Sequence, residues 1–316
     1  MGKSLKITLI LLGMFFLAQL IGIFVASQYQ PTITQEVNQT TGQVTNKTQY
    51  NIPFGLAPPE EIDPGTSVIS FIIALFFAVL LVFLLMRLRA ETVLKAWFFI
   101  VVVLGLAIAL QAFVIKQSLP SLDIAGASLP LFPTIAAVIL AYGKVIKRNI
   151  IVHNATELLI YPGIAAVFIP LLNIWAVVVL LLLISAYDIY AVWHAGFMQK
   201  MARYQIEKLR IFSGFFIPHI DKKEKKFLIE QREKGKKVKK IPVNVAILGG
   251  GDVIFPMILA GVALPILGLV ASFIIALGAT IALAILFYIS QRGMFYPAMP
   301  FISAGCLLAL GLAYLI

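Results

Sequence analysis

The sequence predicts an all-α polytopic membrane protein of nine transmembrane helices, with the N-terminus in the cytoplasm and the C-terminus outside. Three observations carry this. Hydrophobic residues make up 61% of the 316, while Asp, Glu, Lys and Arg make up only 12%. A soluble domain carries about 25% charge, so this chain lacks the polar residues to cover a water-facing surface. At roughly 20 apolar residues per bilayer crossing, the apolar content fills at most about nine or ten spans. The cations, finally, alternate between loops in the way that fixes a topology. Together these exclude a soluble enzyme, a disordered chain and a nucleic-acid-binding domain.

Nine apolar runs lie near 7–27, 66–86, 96–115, 122–143, 150–169, 171–193, 243–262, 265–289 and 297–316. The first follows Met1-Gly2-Lys3 and is longer than a signal-peptide core of about 7–15 residues, so it reads as a retained span. Residues 28–65 are polar, rich in Pro, Gly, Asn and Thr, and form an expected external loop with sequons at Asn38-Gln39-Thr40 and Asn46-Lys47-Thr48. The fifth run contains Glu157, yet Leu158 to Trp193 is too short for two crossings and a turn, so that helix must begin before Glu157. The chain thus divides into residues 1–193 (six spans), a cytoplasmic loop 194–242, and residues 243–316 (three spans).

The charges support this count. Lys3 and Lys6 precede the first span; Arg87, Arg89 and Lys95 lie between the second and third. Lys144, Lys147 and Arg148 lie between the fourth and fifth, Arg292 between the eighth and ninth, and the 194–242 loop holds 14 of the 25 cations. The alternate loops hold only Lys47 and Lys116. The net charge of +11 therefore reflects loops kept inside the cell rather than a polyanion partner. Within the 194–242 loop, Ile211 to Ile220 is apolar and aromatic and could lie on the membrane surface. Lys222 to Lys240 is a charge run expected to be solvated and flexible. A single cysteine, Cys306, excludes an intramolecular disulfide, and His153, His194 and His219 are too scattered for a metal cluster. No cofactor is expected.

Eleven of the 14 acids fall in loops or at span ends; Glu157, Asp188 and Asp252 fall inside apolar helices. A carboxylate at a helix centre costs about 2.5–3.5 kcal/mol even on the insertion scale, so such residues call for a reason. Asp188 lies about 8 Å from the cytoplasmic end of the sixth span, and Asp252 about 13 Å into the seventh, at 1.5 Å per residue. Those two spans leave the same cytoplasmic loop in opposite directions, so both aspartates belong to the inner half of the bilayer. Packed together, two such carboxyls cannot both ionise: desolvation and repulsion leave one proton shared between them. That is the chemistry of aspartic proteolysis, in which one member activates water and the other protonates the scissile carbonyl. Glu157 reads as a polar residue near a cytoplasmic helix end and stays outside the catalytic set.

Two further features surround the pair. Gly249-Gly250-Gly251 precedes Asp252 directly; glycines there permit close approach of another chain, or simply tight helix packing. Pro297-Ala298-Met299-Pro300 removes two backbone donors; it either lines the acid-containing cavity or is an ordinary helix start.

Tyr187-Asp188, Gly249-x-Gly251-Asp252 and Pro297-Ala298-Met299-Pro300 resemble the Y-D, G-x-G-D and P-A-L motifs of the presenilin and signal-peptide-peptidase family. Motif order, span count and the long loop after the sixth span all match, so the resemblance covers essentially the whole chain, which is most like the compact archaeal homologues. The resemblance implies intramembrane aspartyl proteolysis, with Asp188 and Asp252 as the catalytic pair. It implies further that Gly249 and Gly251 form the active-site turn, and that Pro297, Ala298 and Met299, with Tyr187, position the substrate. Met299 replaces the leucine of many members, an exchange of similar volume. Implied substrates are single-pass transmembrane proteins or signal-peptide-like remnants in the bilayer; accessory subunits are not evident.

Two alternatives remain at this level. Intramembrane acids with broken helices also mark proton-coupled transporters and channels. Prepilin-peptidase-like aspartyl proteases share G-x-G-D but usually have fewer spans and lack P-A-L. A zinc protease would want His-Glu-x-x-His, which does not occur, and the histidines are poorly placed for a serine protease. Because a helix hides its own carbonyls, cleavage requires unwinding, and the unwound stretch is expected to pair with backbone near Pro297 to Met299.

Overall fold

The computed structural model describes residues 2–30, 32–37, 44–49, 53–55, 90–115, 117, 120–124, 127–147, 149–192, 213–219, 244–290 and 296–316, with scattered positions between 69 and 88. The expected second span, 66–86, lies mostly outside these; its described positions 69, 70, 73, 77, 80, 81, 84 and 85 are helical. The expected flexible charge run, Lys222 to Lys240, lies wholly outside them.

The helices are α1 (Gly2–Gln28), α2 (Glu91–Val114), α3 (Leu131–Val145), α4 (Ile150–Phe168), α5 (Ile174–Tyr190), α6 (Gly250–Ile289) and α7 (Met299–Ala313). Among the described residues α1, α2, α4 and α6 are long and apolar enough to cross a membrane, and α3, α5 and α7 are shorter apolar helices. Two starts are set by asparagine. Asn149 accepts hydrogen bonds from Ile151 and Val152 N–H at the head of α4, and Asn173 accepts from Ala176 N–H at the head of α5. The fifth helix does begin before Glu157, as its length required.

α6 is two helices in one run. Gly268 has φ 85°, ψ 178°, a conformation a side chain would strain, and the helix breaks there. Ser272 Oγ donates to Ala260 O at 2.8 Å. Twelve residues of straight helix would separate those atoms by about 18 Å, so the chain reverses at Gly268. The arms 250–267 and 269–289 correspond to the expected seventh and eighth spans. In the first arm every residue from Pro256 to Leu264 is buried, so it is a helix enclosed on all sides. α1, α4, α5 and α7 contribute to the apolar cluster around it, and a second cluster joins α2, α3 and α4 to the end of α1. α4 belongs to both. Glycines permit two close approaches: a Cβ on Gly163 of α4 would overlap the Gly105 carbonyl of α2, and Gly278 of the second arm packs against Gly305 of α7. Outward-facing Trp175, Tyr288 and Leu308 are strongly exposed, as lipid-facing side chains are.

Three short antiparallel hairpins depart from the purely helical expectation. β1 (Thr32–Val37) pairs with β2 (Val44–Gln49) within the polar stretch 28–65, so part of that loop is ordered. β3 (Ser121–Ile124) pairs with β4 (Ala127–Pro130), and the helix expected from 122 starts only at Leu131. Pro130 explains this, since the residue before a proline is pushed to extended backbone. β5 (Gly214–His219) pairs with β6 (Asn244–Gly249). The apolar stretch 211–220 thus contains a strand at 214–219. The first six residues of the run from 244 are likewise strand, because a short apolar run has no period that separates strand from helix.

Candidate active site

Asp188 lies near the C-terminal end of α5 and is buried. The chain entering α7 meets it there. Met299 N–H donates to Asp188 Oδ2 at 3.0 Å, and Ala298 N–H also donates to this carboxyl. Met299 is the first residue of α7 and Ala298 its cap, so these are two of the unpaired donors every helix start leaves over. A carboxylate at a helix N-terminus gains both their hydrogen bonds and the favourable end of the peptide dipoles. Pro300, next in line, has no N–H to leave unsatisfied. Pro297 and Met299 are buried and Ala298 is half-buried. The amides expected to receive a substrate strand are thus already committed to Asp188.

One turn away the same two helices are tied again. Ser185 Oγ lies 2.8 Å from Ser303 Oγ and donates to Leu181 O at 2.7 Å. Ser185 is three residues before Asp188 and Ser303 four after Met299, spacings that share a helix face. Neither serine was singled out in the sequence, although that spacing from a motif residue was available. Tyr187, the other half of its motif, is 55% exposed on α5.

Asp252 comes from the other side. β6 ends at Gly249, which caps α6, so Asp252 is the third residue of that helix rather than one well inside it. Its carboxyl reaches back to accept the Gly249 N–H, as the acidic member of a capping box does. The three glycines therefore sit at the cap and first two positions, where the cost of glycine in a helix interior does not apply. Each does a different thing. A Cβ on Gly249 would come within 3.1 Å of Asp252 Oδ2; one on Gly250 would come within 2.9 Å of the Tyr161 ring; Gly251 is exposed, with only Phe255 nearby at 3.7 Å.

The Asp188 carboxyl is near enough for its charge to act on Asp252. Of the eight residues named from the sequence, the structure ties Asp188 to Ala298 and Met299, and Asp252 to Gly249; Gly251 is exposed beside Phe255. Gln19 of α1, fully buried, was missed altogether: its Nε2 donates to Val253 O at 2.9 Å, beside Asp252.

Glu157, expected near a cytoplasmic helix end, lies in the first half of α4. It is fully buried and ion-paired with Lys144 of α3, which is itself buried. A single carboxyl amid apolar residues gives no sign in sequence of whether a cation from another helix reaches it.

A family profile described as "Signal-peptide peptidase, presenilin aspartyl protease" matches residues 54–316. No curated protein matches significantly. Two solved structures of a presenilin family intramembrane aspartate protease have similar folds. One, in space group C222, superposes with a TM-score of 0.60 at 18% identity over 98% of both chains. The other, in space group P2, gives 0.57 at 19% identity over 96% of both.

Proposed function

The chain belongs to the signal-peptide peptidase and presenilin aspartyl protease family, an intramembrane aspartic endopeptidase with a presenilin-like fold, and from this we propose that Asp188 and Asp252 are its catalytic pair. The observation that carries the assignment is their meeting. Two acids 64 residues apart in sequence, each held by a helix start, lie close enough for the charge of Asp188 to act on Asp252.

Two carboxyls so placed hold one proton between them. The ionised member takes a proton from water as its oxygen bonds to the scissile carbonyl carbon. The protonated member gives its proton to the carbonyl oxygen, leaving a neutral diol. Collapse of the diol then breaks the C–N bond as a proton passes to the leaving amine. The helix N-termini hold both carboxyls in place through backbone N–H groups, which leave the ionised one free of a neutralising charge.

Substrates are helices of single-pass membrane proteins or signal-peptide-like remnants, unwound locally. Pairing of the unwound stretch is better supported at β6 than at Ala298 and Met299, whose N–H groups serve Asp188. Pro218 has no N–H, so its pairing with Val245 is a non-hydrogen-bonded one, and by alternation so are Phe216 with Ile247 and Gly214 with Gly249. The N–H and C=O of Val245, Ile247 and Gly249 then face away from β5. Ile247 is 46% exposed, and the outward Gly249 N–H is the one that serves Asp252. A peptide added along that edge passes the aspartates.

We further propose nine spans in the cell membrane, N-terminus cytoplasmic. The eight apolar helical segments described, counting two in α6, together with 66–86 and the loop charges, support this. The deciding assay incubates purified wild type, Asp188→Asn and Asp252→Asn with a labelled single-span peptide in detergent. Both variants are expected to fold and to lose cleavage by at least about a thousandfold, as loss of an acid–base group does. Residual wild-type-like cleavage in either removes that residue from the pair.

A further inference from the structure

β5 has two edges. One pairs with β6; the other faces α4, and there three side chains stand in for a third strand. Asn154 Nδ2 donates to Phe216 O at 2.9 Å, while Phe216 N–H donates to Asn154 Oδ1 at 3.1 Å, the reciprocal pattern of strand pairing made by one amide. Gly214 N–H donates to Glu157 Oε1 at 3.2 Å, and His153 Nε2 lies 2.9 Å from Gly214 O. A carbonyl only accepts, so that ring nitrogen is the donor. Four outward backbone groups of β5 are thereby satisfied by residues of one helix. His153, Glu157 and Tyr161 follow at intervals of four, one face of α4. Tyr161 packs edge-on against Phe215 and closes against Gly250 at the start of α6.

We propose that His153, Asn154 and Glu157 are positioning residues of the protease, a clamp that fixes β5 and through it the place of Gly249 and Asp252. The register carries the effect across. Gly214, held at both its N–H and its C=O, lies directly opposite Gly249, and Gly249 is both the cap of α6 and the donor to Asp252. The clamp also decides which edge of the sheet is open: with the β5 side occupied by α4, only the β6 side can receive another strand. Glu157 and Lys144 form a buried ion pair, and such a pair does little for stability compared with apolar residues of the same size. What it does supply is a fixed acceptor for Gly214. The clamp prepares the edge before a substrate arrives, and its role rests on the proteolytic reading above.

The test uses the full chain in detergent or proteoliposomes with a labelled single-span peptide, reading kcat, KM and the distribution of cut sites beside thermal stability. Asn154→Leu removes both bonds to Phe216 at similar size; Asn154→Asp keeps the acceptor alone. The double variant Lys144→Met with Glu157→Leu replaces the ion pair by an apolar one and removes the acceptor of Gly214. Asn154→Leu and the double variant are expected to melt within a few degrees of wild type, raise KM roughly tenfold with a smaller change in kcat, and spread cleavage to neighbouring bonds, with Asn154→Asp between. Wild-type KM and cut sites in both would overturn the clamp, as would a loss of rate matched by the loss of folded protein. Cleavage surviving Asp188→Asn would instead strike the proteolytic reading itself.

Discussion

At the residue scale, the two aspartates share a device: each is held by the first turn of a helix, Asp252 by its own and Asp188 by that of α7. This makes the glycines of the G-x-G-D motif separable. Gly250→Ala places a methyl against the buried Tyr161 ring and is expected to destabilise by about 1–3 kcal/mol, as overpacking does. Gly251→Ala meets only Phe255, at an ordinary contact distance, and gains helix propensity, so its stability should stay within about 1 kcal/mol of wild type. Its cleavage rate should nonetheless fall, because that methyl stands where substrate must pass. Melting curves and cleavage rates on the same preparations distinguish the two, and equal stabilities would contradict the packing described. The aspartates were legible because charge is scarce here and every acid could be assigned. Gln19, Ser185 and Ser303 were not, since a neutral polar residue in an apolar helix carries no cost large enough to stand out.

At the element scale, helix existence was legible and two of the helix starts were not. The runs from 122 and 244 begin as strands because apolar content fixes burial while a stretch of six residues has no measurable period. The consequence for the site was substantial: Asp252 moved from a helix interior to a helix start. The β5–β6 pairing could not be read at all, since one strand lies within the 194–242 loop and the other at the start of an expected span, with a long charged run between them. The edge assignment of β6 yields a sharp expectation. Ile247→Pro removes an outward N–H and leaves the pairing to β5 intact, while Leu248→Pro removes an inward one. Ile247→Pro should keep its melting temperature within a few degrees and lose at least about tenfold in kcat/KM; Leu248→Pro should lose stability as well. Equal thermal damage from both would mean the alternation is reversed.

At the scale of the whole molecule, the sequence carried the class of fold and the order of its apolar segments, because a bilayer requires long apolar helices wherever they fall. It did not carry which helices touch. That α4 joins the two apolar clusters, or that the first arm of α6 lies enclosed at the centre, depends on small side chains such as Gly105 and Gly163 finding one another. The proposed orientation is open to direct measurement. Cysteines introduced one at a time at Gln39 and Lys234 should react with an impermeant maleimide from opposite sides of intact cells, Gln39 from outside only. Labelling of both from outside would reject the nine-span topology with a cytoplasmic N-terminus.

The hydrogen bonds from Ala298 and Met299 to Asp188 also have a meaning in time. The chain is made from residue 1 onward, so Asp188 enters the membrane and waits through more than a hundred residues before its partners are synthesised. Until α7 arrives, one half of the pair lacks its anchor, and a ribosome stalled anywhere before residue 297 leaves an inert intermediate. On the proposed pairing, the protease is in this way silent throughout its own insertion.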